Sequence, residues 1–79
     1  MDGWQEQDNA LVREFEFKSF SEAIEFVDRL ADAAESENHH PDIDIRYRNV
    51  TVRWTTHSAG EVTAKDREMA ELTSTLSSG

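Results

Sequence analysis

At 79 residues the chain holds one domain that buries little surface, so a single small core layer is expected, with oligomerisation as a further source of stability, and a second domain is excluded. An apolar share of 37% with four Phe, two Trp and one Tyr suffices for a modest globular core, while the absence of cysteine excludes a disulfide framework and thiolate chemistry. The net charge of −9, with Lys18 and Lys65 the only lysines against 17 carboxylates, argues against direct binding of nucleic acid or an anionic membrane, which clustered Lys and Arg would hold.

The start MDGWQEQD has neither the basic nor the apolar region of a signal peptide, and no run approaches the roughly 20 apolar residues that span a bilayer. The chain therefore reads as soluble and cytoplasmic. Its acid surplus suits a surface adapted to high salt, where screening relieves self-repulsion. The melting temperature is then expected to rise from low to molar KCl, and an unchanged value would count against that adaptation.

Residues 11–17 alternate, with Leu11, Arg13, Phe15 and Phe17 on one face and Val12, Glu14 and Glu16 on the other, which predicts a strand with one buried side. Residues 4–7, ahead of the Asp8-Asn9 turn signal, are expected to pair with it. Ser19 with Glu22 opens a capping box, and Phe20, Ala23, Ile24, Val27, Leu30, Ala31 and Ala34 follow at helical spacing. The polar side of that helix, Glu22, Glu25, Asp28, Arg29, Asp32 and Glu35, reads as a solvated face. Residues 36–41 are expected to be irregular, because Pro41 disfavours the helical conformation at His40.

After Pro41, Ile43, Ile45 and Tyr47 alternate with polar residues, and Val50, Val52 and Trp54 do so again, predicting a hairpin turned at Arg48 and Asn49. Gly60 breaks the pattern, and Thr63 with Asp66 caps a last helix whose less strongly apolar side is Met69, Ala70, Leu72, Thr73 and Leu76. The order strand, strand, helix, strand, strand, helix predicts an α+β domain, an antiparallel four-stranded sheet with the helices packed on one face.

All three histidines of the chain fall in one stretch, ENHHPDIDIRYRNVTVRWTTH. His39 and His40 lie between a helix end and a strand start, and the hairpin returns the chain so that His57 comes back beside them. Imidazoles near their unperturbed pKa of about 6.5 can give and accept protons at neutral pH. A cluster of them suits a reaction in which one group is protonated while another is deprotonated, as elimination of water requires. A zinc site using the histidines and Glu35 is the competing reading, but adjacent His39 and His40 would have to curl round one ion and the chain has no HxxxH or HxH spacing. Nucleophilic catalysis finds neither a cysteine nor a serine in an elbow motif.

The segments FEFKSF (15–20), AESENHHP (34–41) and YRNV (47–50), then Thr56-His57 with Gly60, Thr63 and Asp66, resemble the pterin-4a-carbinolamine dehydratase family over nearly the whole chain. The resemblance implies a saddle-like α+β fold and dehydration of 4a-hydroxytetrahydropterin to quinonoid dihydropterin, recycling pterin spent by an aromatic amino acid hydroxylase. It implies no metal or organic cofactor. It also implies dimers through edge strands, tetramers through helices, and, as the alternative, a non-catalytic assembly or transcriptional-coactivator role on the same fold.

Carried over by position, His39, His40 and His57 match the family's catalytic histidines, Pro41 shapes their loop, and Thr56 and Ser58 flank His57 where pterin contacts lie. On this resemblance His40 is expected to act as acid and base, His57 to share the transfer and His39 to hold the pterin. Glu35 and Asp66 match supporting acidic positions. Asp66 is also explained as a helix cap, and Glu35 sits at a helix C-terminus, where its charge opposes the dipole. Three departures stand out. The family's helix ahead of the Gly3-Trp4 pair has no counterpart in these 79 residues, Ile43 stands where some members carry an aromatic, and Glu61 replaces a second glycine.

Overall fold

The computed structural model describes residues 3–78. Its elements are β1 (Gln5–Gln7), β2 (Ala10–Glu16), α1 (Phe20–Glu37), β3 (Asp42–Arg46), β4 (Asn49–Trp54) and α2 (Ala64–Ser77). The strands form one antiparallel sheet in the order β1-β2-β4-β3. This is the α+β arrangement that the alternation and the two helical stripes predict.

β4 is central, and its inward residues Val50, Val52 and Trp54 are fully buried. The register sets Leu11 opposite Trp54 and Phe15 opposite Val50, while Ile43 faces Val52 and Ile45 faces Val50 from the other side. Cross-strand neighbours share a face, so these rows make one apolar floor. α1 lays Ala23, Phe26, Leu30 and Ala34 on it, and α2 adds Met69 and Ala70. Each large side chain buried there contributes about 1.5–3 kcal/mol. Arg13 belongs to the inner face by parity, and its charge is accommodated at the margin, over the Phe15 ring at 4.5 Å and bonded to Ser74 Oγ at 2.9 Å.

Several boundaries differ from the sequence expectation. Trp4 precedes β1 and Phe17 follows β2, although both pack as core or core-edge residues. α1 runs through Ser36 and Glu37, two residues into the stretch expected to be irregular. Pro41 constrains only His40. The stop comes instead from Asn38, which takes the left-handed conformation with φ 50°.

The β1–β2 turn is Asp8-Asn9, with φ of 49° and 63°, the twist-matched turn that Asn and Asp tolerate. The second hairpin turns at Tyr47-Arg48 rather than Arg48-Asn49, because Arg46 pairs with Asn49. Tyr47 carries φ 55° and is 69% exposed, so it leaves the inward row instead of extending it. A positive φ at the first central residue alone favours glycine. Tyr47→Gly is accordingly expected to stabilise the domain by about 0.5–1 kcal/mol, read as a higher urea midpoint.

Candidate active site

The end of α1 delivers the first two histidines. The Asn38 N–H bonds to the Glu35 carbonyl at 3.2 Å and the His39 N–H to the Ala34 carbonyl at 3.1 Å, the paired bonds that close a helix at a left-handed residue. The chain then turns through His40 and Pro41 into β3, whose Asp42 pairs with Arg53 of β4. Past β4, Thr56 bridges to Glu61, and the Gly60 N–H bonds to the Thr56 carbonyl at 2.9 Å. Gly60 takes φ 69° in this tight loop, a conformation other residues avoid, and the loop returns His57 to the same rim.

His39, His40, Pro41, Thr56, His57 and Ser58 all line one open cavity of about 340 Å³, with Asn38, Asp42 and Thr55 completing it. Glu35 and Asp66 stand behind the histidines. His40 Nε2 meets Glu35 Oε2 at 2.5 Å, with both side chains more than half exposed. His39 is held differently: its Nε2 lies 2.6 Å from Oδ1 of the fully buried Asp66, and its ring stacks on Trp54 at 5.6 Å with 5° between planes. His57 is exposed on the facing loop.

The carboxylate of Asp66 is engaged through both oxygens. Its Oδ2 accepts from Thr56 Oγ1 at 2.7 Å and from the Thr63 N–H at 2.9 Å, while Oδ1 takes the His39 contact. Thr63 Oγ1 lies 2.8 Å from Thr56 Oγ1, so the Thr56 hydroxyl, which gives its proton to Asp66, accepts from Thr63. Asp66 thus caps α2 and anchors His39 at once. Burial pushes the Asp66 carboxyl up, but hydrogen bonds from His39, Thr56 and the Thr63 N–H outweigh it and leave it below the usual carboxylate value. An ionised carboxylate only accepts, so His39 Nε2 carries the proton, leaving Nδ1 as the nitrogen that can take one up.

A depressed carboxyl pKa has a sign in folding. Unfolded, an aspartate titrates at about 3.9, so the stability that Asp66 supplies is fully present above that pH and is lost as pH falls through its lower folded value. Urea unfolding on the acid side is expected to show this decline in the wild type, and a shallower one in Asp66→Asn.

Lys65 ties the two helices together, its Nζ 2.5 Å from Glu37 Oε1 of α1 and 3.5 Å from Glu68 Oε1 of α2. The Glu37 hydrogen bond is the main reason that its pKa lies above the ordinary lysine value. Sequence reasoning missed two members of the site. Trp54 reads as a core residue by its alternation, and Thr63 as a cap. Only the pairing of three chain segments shows that one supports the His39 ring and the other its anchor.

A small α+β domain with three histidines lining one cavity at the sheet rim, one of them pinned by a buried carboxylate, defines a class of compact proteins built around a histidine-lined pocket. The family model described as Pterin 4 alpha carbinolamine dehydratase matches residues 1–76, and the chain belongs to that family. It is 52% identical over 67 residues to a provisionally named pterin-4-alpha-carbinolamine dehydratase of Picosynechococcus sp., covering 85% of this chain and 73% of that protein. A relative of the same provisional name from Thermomicrobium roseum is 51% identical over 76 residues, 91% of this chain and 82% of that one.

Among solved structures, a transcriptional coactivator/pterin dehydratase from Brucella melitensis superposes with a TM-score of 0.92 at 40% identity, over 96% of this chain and 83% of that one. A pterin dehydratase-like protein identified as a RuBisCO assembly factor in the alpha-carboxysome matches with a TM-score of 0.78 over 94% of this chain and 86% of its own. At 23% identity that second likeness shows the shared fold alone. Among the described residues no helix is long and apolar enough to cross a membrane.

Proposed function

We propose that this protein dehydrates 4a-hydroxytetrahydropterin to quinonoid dihydropterin in the cytoplasm, returning pterin spent by an aromatic amino acid hydroxylase. The observation that carries the reading is the His39 imidazole, fixed through Nε2 by buried Asp66 in a cavity that His40 and His57 also line. The family match supports the same chemistry.

In the reaction the pterin ring N–H gives up its proton, the freed pair becomes the new C=N bond at C4a, and the C4a–O bond leaves with the oxygen. His39 Nδ1, rather than His40 as the resemblance implies, takes the ring proton, because the other His39 nitrogen is committed to Asp66. His40 gives a proton to the departing hydroxyl, which leaves as water, and His57 on the opposite loop shares that transfer. Thr56 and Ser58 contact the pterin beside His57, and Pro41 shapes the His40 side of the cavity. The protons balance within the histidine set, so the reading calls for no metal or organic cofactor.

The same reading takes the protein as a homodimer or homotetramer. β3 is an edge strand, and its sequence DIDIR suits antiparallel pairing with a second copy. Centred on Ile45, such pairing sets Asp44 of one copy against Arg46 of the other, with Ile45 meeting Ile45.

To test the function, 4a-hydroxytetrahydropterin is generated in situ and the quinonoid product is followed by stopped-flow absorbance at low and molar KCl. Acceleration by the protein is the expected result. A folded sample that accelerates nothing in either salt would replace this reading with a non-catalytic assembly or coactivator role.

A further inference from the structure

We propose that Trp54 is a positioning residue for His39, setting the plane in which that imidazole exchanges its proton. The kinetic consequence rests on the dehydratase reading, whereas the structural claim stands without it. A single contact from Nε2 to Asp66 fixes one point of the ring and leaves it free to swing about that point. A second constraint is needed to aim Nδ1, and the structure offers one: the indole of Trp54, parallel to the imidazole within 5° at a centroid distance of 5.6 Å. This is offset stacking, within the range at which aromatic pairs attract.

The indole is itself immobilised. Trp54 is fully buried, and its Nε1–H donates to Thr73 Oγ1 at 3.0 Å. Thr73, also fully buried, passes its own proton to the Met69 carbonyl at 2.6 Å. Rotating the indole would break a buried hydrogen bond, at a cost of about 1–3 kcal/mol. The plane of His39 is therefore referred, through Trp54 and Thr73, to the backbone of α2, the helix that also supplies Asp66. Three elements meet here: the end of α1 brings His39, the end of β4 brings Trp54, and α2 anchors both rings. A tryptophan serving only to fill the core would account for the burial and the Thr73 bond. It would not need to lie flat against the one histidine that a buried carboxylate holds.

Trp54→Leu removes the flat face and Trp54→Phe keeps it, so the pair separates ring orientation from bulk. Two readouts are used on samples whose folding is checked by circular dichroism. In NMR spectra assigned against His39→Gln, the His39 ring protons are expected to be shifted upfield by the neighbouring aromatic face in the wild type and in Trp54→Phe, and to lose that shift in Trp54→Leu. In stopped-flow kinetics, Trp54→Leu is expected to lose about tenfold or more in kcat with KM within about twofold of wild type, and Trp54→Phe, which keeps a flat face but lacks the bond to Thr73, to fall between that variant and wild type. Trp54→Met takes the place of the leucine variant if that one does not fold.

Identical His39 shifts and equal kcat in the aromatic and aliphatic variants would overturn the proposal. Should the wild-type protein not dehydrate the pterin at all, the functional reading fails by itself, and the NMR comparison alone decides whether Trp54 sets the His39 ring.

Discussion

His39→Ala is expected to lower kcat for pterin dehydration by about 10²- to 10⁴-fold, the usual contribution of a positioned acid or base. The variant should still fold, with some loss of stability, since Asp66 keeps its bonds from the Thr56 hydroxyl and the Thr63 N–H when the His39 contact is lost. His40→Ala should cost less, about tenfold, because His57 lines the same cavity and can supply the leaving hydroxyl's proton. The exposed contact between His40 and Glu35 is also one that solvent weakens. Removing His40 and His57 together should bring the rate down to the level of His39→Ala. Single-turnover stopped-flow traces of the three variants decide it, and a His39→Ala enzyme within threefold of wild type would end the assignment of His39 as the base.

Asp66→Asn is expected to damage both activity and stability, which a change confined to the pocket would not do. The carboxylate accepts from His39, from the Thr56 hydroxyl and from the Thr63 N–H, and it has no surface exposure. An amide has one accepting oxygen and a pair of N–H donors in place of the other. If the amide nitrogen turns to His39, Nε2 must become an acceptor, the ring proton moves to Nδ1, and the proposed base is blocked. If it turns to Thr63, two donors face each other and the α2 cap is lost.

Either arrangement should lower kcat by about 10²-fold, since the imidazole is held in the wrong tautomer or released. Loss of hydrogen bonds to a charged, buried acceptor should cost about 2–3 kcal/mol. For a domain of this size that amounts to a drop in melting temperature of roughly 10 °C or more. A variant with wild-type rate and wild-type melting temperature would show that Asp66 neither orients His39 nor supports α2.

The comparison of Asp66 with Glu35 shows how far sequence reasoning reaches. Both are acidic residues near a histidine in the predicted topology, and both match supporting positions by resemblance. Spacing identifies Asp66 as the partner of Thr63, because a capping interaction is local and depends on a three-residue offset. It does not reveal the contact to His39, 27 positions away. Glu35 looks unfavourable at the end of α1, and in the structure its carboxylate meets His40. What separates them is burial, and burial follows from which helix face lies on the sheet.

Local chemistry in the sequence determined the element types, the antiparallel sheet and the gathering of His39, His40 and His57 on one rim. Period-two and period-3.6 apolar patterns, together with the caps at Ser19 and Thr63, act over a few residues and can be read directly. The left-handed stop at Asn38 and the turn at Tyr47-Arg48 shifted boundaries by one or two positions, because strand register and the helix end are set by pairing as well as by local preference. Tertiary structure alone decided that His39 is the anchored histidine and His40 and His57 the exposed ones. That distinction depends on α2 packing beside β4, which buries Asp66 and Trp54 at the point where α1 ends; no spacing along the chain encodes such a meeting of three segments.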